Sequence, residues 1–135
     1  LDPGYRRLFI DYLREYAKAE NKTIFTTSHI IQDMERLIDD VLILDSNKVL
    51  VQSSVSQFLQ TFRRFDFVLE NTNAVLKKEP FILNLDRTKN KVELYTYSSE
   101  QDVVRYLNEN GLLFSNFMQV SMDLEDAFIG LTGKY

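Results

Sequence analysis

The sequence predicts an α/β chain in two pieces: a slice of a doubly wound sheet over residues 1–62, then a small α+β unit over 63–135. Three observations carry this. Helical apolar stripes alternate with short apolar runs up to about residue 62. At Arg63-Arg64 the pattern changes to strict alternation, with Phe65, Phe67 and Leu69 set between Asp66 and Glu70. From Phe65 onward the order is β, α, β, β, α, β and a last helix, the split βαβ or ferredoxin-like arrangement.

Asp2-Pro3 makes a helix start, because a carboxylate caps free N–H groups and proline suits the first turn. Tyr5, Leu8, Phe9, Tyr12, Leu13, Tyr16 and Ala17 follow at the spacing of one buried face, with Arg6, Arg7, Asp11 and Arg14 opposite. Asn21-Lys22 ends this helix, and 23–27 reads as a short strand. Past His29, Ile31, Met34, Leu37 and Ile38 form a second helical stripe, with Asp33 and Glu35 outside it. Val41-Leu42-Ile43-Leu44 is a continuous apolar run, expected to be a strand buried on both faces. The polar turn 45–48 leads into a partner strand over 49–52. Ser54 and Gln57 then resemble a capping box opening a short helix.

In the second piece a strand over 65–69 precedes a short helix over 73–78, stopped by Pro80. A hairpin joins 81–86 to 91–97. Ser99 caps a helix carrying Val103, Val104 and Leu107, and Asn110-Gly111 closes it. A strand over 112–120 and a helix marked by Leu124, Ala127, Phe128 and Leu131 complete the chain.

Composition narrows the function. Apolar residues are 44% of the 135 and aromatic ones 13%, enough for a core. With 16 basic and 20 acidic residues the net charge is −4, which weighs against nucleic acid as the main partner. Tyr95 and Tyr97 could offer a stacking face for RNA, but Glu93 beside them opposes it. There is no cysteine and one histidine, so the usual zinc spacings cannot be assembled. Neither G-x-x-x-x-G-K-[ST] nor G-x-G-x-x-G occurs, and Ser28, His29 and Asp33 make a poor triad without a nucleophile elbow.

The chemistry that remains centres on the junction Thr26-Thr27-Ser28-His29, where a strand end meets a helix start. Open α/β sheets place ligand groups at such ends. His29 could donate to a phosphate, act as a base, or simply pack.

Residue order bears on that choice. Leu1-Asp2-Pro3 with its helix, then Thr23 to Ser28-His29, then Glu35 and Asp39-Asp40 before Val41-Leu42-Ile43-Leu44, resembles the tail of an ABC-transporter ATPase subunit. Leu1-Asp2 resembles the D-loop and Ser28-His29 the switch-histidine loop. Leu124-Glu125-Asp126-Ala127-Phe128-Ile129-Gly130-Leu131-Thr132-Gly133 is similar to the L-E-D-x-F-x-x-L-T-G ending of ABC-2-type, bacitracin- and multidrug-exporter-like ATPases. Asn47 stands where the family often has Gly, and Asp40 where many members carry Arg.

The resemblance implies a partial P-loop-NTPase-type sheet and the C-terminal part of a larger ATPase, the phosphate-binding loop, signature and Walker B motifs lying upstream. It implies ATP and Mg2+ as ligands of the intact protein and neither for the fragment alone. His29 would contact the γ-phosphate, Ser28 would support it, and Asp2 would couple the sites of two subunits. The implied partners are a second ATPase subunit and transmembrane permease subunits at the cytoplasmic face of the plasma membrane, with no nucleic acid. The fragment is expected to self-associate through its uncovered apolar surfaces. The alternative is a stand-alone ferredoxin-like regulatory or ligand-binding module without an ATPase role.

Overall fold

The computed structural model describes residues 2–27 and 31–133, and four helices and two antiparallel sheets lie within them. Helix α1 (Pro3–Ala19) begins where the Asp2 carboxylate accepts the Gly4 N–H at 2.7 Å, the cap expected from Asp-Pro. Strands β1 (Asp40–Asp45) and β2 (Lys48–Ser54) form a hairpin. Ser46 and Asn47 turn it with φ of 50° and 62°, the mirror-image turn whose twist matches the strands. Helix α2 (Val55–Thr61) is capped by the Ser54 hydroxyl, which accepts the Gln57 N–H at 3.0 Å.

The second sheet holds β3 (Arg63–Leu69), β4 (Ile82–Thr88), β5 (Lys91–Thr96) and β6 (Phe114–Val120), in the spatial order β4-β5-β3-β6. All three pairings are antiparallel. Alternation decides its faces. Phe65, Phe67, Leu69, Val92 and Leu94 point to one side, where Val103 and Leu107 of α3 (Glu100–Glu109) cover them. Each such side chain contributes about 1.5–3 kcal/mol on burial. Ser99 caps α3 as expected, accepting the Asp102 N–H at 3.2 Å. On the other face Tyr95 packs with Phe58 and Phe62, with Ile43 and Val51 of the hairpin, and with Leu124 and Ala127 of α4 (Leu124–Thr132).

Several expectations are corrected. Residues 23–27 form no strand, and Phe25 is 87% exposed. A strand needs a neighbour to take its N–H and C=O groups, and no described strand runs beside this one. The helix expected past His29 is a pair of turns over 31–38: Met34 and Glu35 N–H donate to the Ile31 carbonyl, then Leu37 and Ile38 N–H to that of Met34. Residues 73–78 are not helical either. Their neighbourhood is held by side chains instead: Arg87 donates to the carbonyls of Ala74 (2.6 Å) and Thr72 (3.2 Å), and the Thr96 hydroxyl donates to that of Phe81 (2.6 Å). The βαββαβ arrangement is therefore incomplete.

Burial departs from expectation too. Leu42 and Leu44 are exposed and Ile43 is buried, because a two-stranded hairpin gives only one face to the core. Of the α1 stripe read as a buried face, Tyr5, Leu8, Phe9, Tyr12 and Tyr16 are exposed and only Leu13 and Ala17 are half-buried, on the side where Ile10, outside that stripe, is buried. Among the described residues no strands pair in parallel, so the slice of doubly wound sheet expected over 1–62 is two helices, a pair of turns and an antiparallel hairpin.

Candidate functional site

Of the three predicted site residues, Ser28 and His29 lie outside the described residues. Asp2 is described: its carboxylate sits on the first turn of α1, and its carbonyl accepts the Arg6 N–H at 3.0 Å. The two segments that bracket His29 in the resemblance, α1 and 31–38, meet directly. Arg6 Nη1 lies 3.3 Å from Asp33 Oδ2, on the face of α1 that also carries Ile10. The Arg6 Nε beside this pair is buried and has no hydrogen-bond partner.

The turns over 31–38 also reach the far end of the chain. Ile31 and Ile38 pack against the cluster that holds Leu124 and Ala127. Glu35 Oε2 accepts the Leu124 N–H at 3.2 Å. Helix α4 opens with a capping box: Asp123 accepts the Asp126 N–H at 2.8 Å and Asp126 reaches back to the Asp123 N–H at 3.4 Å. The Leu124 N–H falls outside that box, and Glu35 supplies its acceptor. Thus the two stretches that carried the family resemblance, remote in sequence, are joined by a hydrogen bond.

Further along, α4 lies flat on Tyr95. A Cβ at Gly130 would overlap the Tyr95 ring, so only glycine permits this approach. Tyr95 Oη donates to Glu93 Oε2 at 3.2 Å, and Arg64 bridges Asp66 (2.8 and 2.9 Å) and Glu93 (3.0 Å). Cross-strand register places these groups together, Arg64 opposite Tyr95 and Asp66 opposite Glu93. Burial first, and the Glu93 charge second, push the Tyr95 phenol up to about 12. The bond to Asp66 raises the Arg64 guanidinium above its already high value. A shallow pocket beside this network is lined by Asn84, Asp86, Glu93, Tyr95 and Gly130. Its charged members are acidic, which suits neither a phosphate nor a nucleotide.

A bound Mg2+ needs several oxygen donors converging on one point. Among the described residues no group of three or more Asp, Glu or His side chains converges on one point, so any Mg2+ contact they make is through one or two carboxylates beside phosphate and water.

Sequence patterning marks Asp2, Ser28 and His29; Asp33 enters it only as a poor triad member, Glu35 only in the motif order, and Arg6 only as an outer-face charge. A signal was present in Asp123 and Asp126, whose spacing is that of a capping box and leaves the next N–H in need of an acceptor.

Over nearly the whole chain its curated homologues are ATP-binding proteins of ABC transporters, as the resemblance implied, at low identity. In particular, the chain is 26% identical to Nod factor export ATP-binding protein I of Rhizobium sp. (strain N33), over 99% of this chain and 44% of that protein. It is 28% identical to bacitracin transport ATP-binding protein BcrA of Bacillus licheniformis, over 98% of this chain and 45% of that one. Thiamine import ATP-binding protein ThiQ of Jannaschia sp. (strain CCS1) is 35% identical, over 42% of this chain and 25% of the relative. The chain thus spans under half the length of these relatives. No protein-family model matches it. No described helix is long and apolar enough to cross a membrane.

Proposed function

We propose that this chain is the C-terminal part of the ATP-hydrolysing subunit of an ABC exporter of the ABC-2, bacitracin-transport-like type. One observation carries the reading: relatives matching 98–99% of the chain are a Nod factor export protein and a bacitracin transport protein, whereas the import protein matches 42%. The ending from Leu124 to Gly133 supports the same subfamily.

In this reading residues 1–62 belong to the nucleotide-binding domain, and 63–135 form an accessory or regulatory α+β unit. ATP is the substrate. Phosphoryl transfer leaves little covalent work for protein groups, so correctly placed donors are most of the catalysis. His29 is the donor this chain contributes toward the γ-phosphate, Ser28 supports it, and Asp2 couples the site to a second subunit. The remaining phosphate- and Mg2+-binding groups come from elsewhere in the subunit. Separate permease subunits carry the exported compound, and the ATPase works at the cytoplasmic face of the membrane.

The test is His29→Ala in the full-length subunit. ATP binding should persist while turnover falls by roughly 10²–10³-fold, the loss seen when one transition-state donor is removed. Near-normal hydrolysis by this variant would refute the assignment. The rival reading, a stand-alone regulatory or ligand-binding module, draws on the closed core of the four-stranded sheet. It predicts that His29→Ala changes nothing and that no ATPase activity accompanies the gene product.

A further inference from the structure

Glu35 ties the segment that follows His29 to the last helix. The Leu124 N–H that donates to Glu35 Oε2 at 3.2 Å belongs to a residue only 2% exposed, and the two lie 89 positions apart in sequence. A carboxylate at a helix N-terminus also gains from the helix dipole, so this contact exceeds an ordinary surface bond. Asp33 ties the same turns to α1 through Arg6 at 3.3 Å. Ile31 and Ile38 add apolar contact with the cluster around Leu124 and Ala127. Segment 31–38 is therefore clamped between α1 and α4, and α4 in turn is seated on Tyr95 through Gly130.

We infer that Glu35 is a positioning residue, holding the segment next to His29 against α4, so that the seating of α4 governs the turnover step in which His29 takes part. This rests on the reading of His29 as the γ-phosphate donor. It assigns the accessory unit a role: anything that lifts α4 off Tyr95 releases the Glu35 bond and slows hydrolysis without touching nucleotide affinity.

The test compares Glu35→Ala, Glu35→Gln, Gly130→Ala and His29→Ala in the full-length ATPase subunit. Glu35→Ala should lower kcat roughly tenfold, since small misplacements of a catalytic group cost that much or more. KM for ATP should stay within about twofold, the sign of an interaction used after binding. Glu35→Gln keeps an oxygen acceptor for the Leu124 N–H and should recover most of the rate. Gly130→Ala, which acts on the far side of α4, should reproduce the kcat loss. In the 135-residue chain, Glu35→Ala should hasten hydrogen exchange at the Met34, Glu35, Leu37 and Ile38 amides. An unchanged kcat in Glu35→Ala, or equal damage by Ala and Gln, overturns the inference. If His29→Ala is inactive while Glu35→Ala is normal, the positioning role alone falls. If His29→Ala turns over normally, both fall.

Discussion

Along β3, Phe65, Phe67 and Leu69 alternate into a closed core, whereas along α1 Tyr5, Leu8, Phe9 and Tyr12 run down the helix 55–66% exposed. Both stretches show the periodicity that accompanies burial. The difference lies in what is hydrogen-bonded beside them. Strand β3 is central, paired with β5 and β6, so its side chains are held under α3 by backbone ladders. Helix α1 satisfies its own backbone and is joined to the rest through Arg6 and Ile10, its opposite face. Periodicity identifies an apolar face; only a ladder or a second helix placed across it makes that face a core.

Substitutions can break or sharpen this contrast. The largest effect is expected from Phe65→Ala, which should cost about 3–5 kcal/mol by cavity formation, seen as a fall in the urea midpoint. A cost no greater than that of a change on α1 would erase the distinction. Next comes Gly130→Ala, where overpacking on Tyr95 should cost about 1–3 kcal/mol. Made again in a Tyr95→Ala background, it should cost clearly less, and a strictly additive double-mutant cycle would show that α4 does not sit on this ring.

A smaller effect follows from ionisation. The Tyr95 phenol, at about 12 instead of 10.0, is raised in the fold, so the folded state favours its neutral form. Its contribution is complete below pH 10 and disappears as pH rises through about 12. Burial raises Tyr97 and Tyr106 as well, so the informative quantity is the difference between the parent and Tyr95→Phe. That difference should shrink across this interval in denaturation series at successive pH values; a constant one would contradict the burial of the hydroxyl. The least effect on stability belongs to Leu8→Ser on the open stripe of α1, within about 0.5 kcal/mol. The same change should weaken self-association, with light scattering as the measure.

Local chemistry was legible in the sequence. Asp2, Ser54 and Ser99 announced three helix starts, alternation announced β3, and Asn110-Gly111 announced the end of α3, with Gly111 at φ 67°. These features depend on residues within one turn of one another. What escaped depends on partners far away. Residues 23–27 carry strand-forming side chains but have no described strand to pair with. Residues 73–78 look helical until Arg87, Thr96 and Tyr106 claim the neighbouring carbonyls. Glu35 stands in the motif order, but its acceptor role is set by a helix start 89 residues away. For the site, motif order pointed to Asp2, Ser28 and His29, but the ties that join α1, residues 31–38 and α4 are purely tertiary.

The side-chain ties around residues 72–81 carry one more consequence. A helix satisfies its own carbonyls and so fixes the rise between its ends. Here Leu76 is the buried plug, Val75 is 78% exposed, and the anchoring donors belong to Arg87, Thr96 and Tyr106. Residues added between Leu76 and Pro80 would bulge into solvent without shifting the register of β4 against β5. This stretch is thus a seam that can take up extra residues while the sheet beside it keeps its pairing.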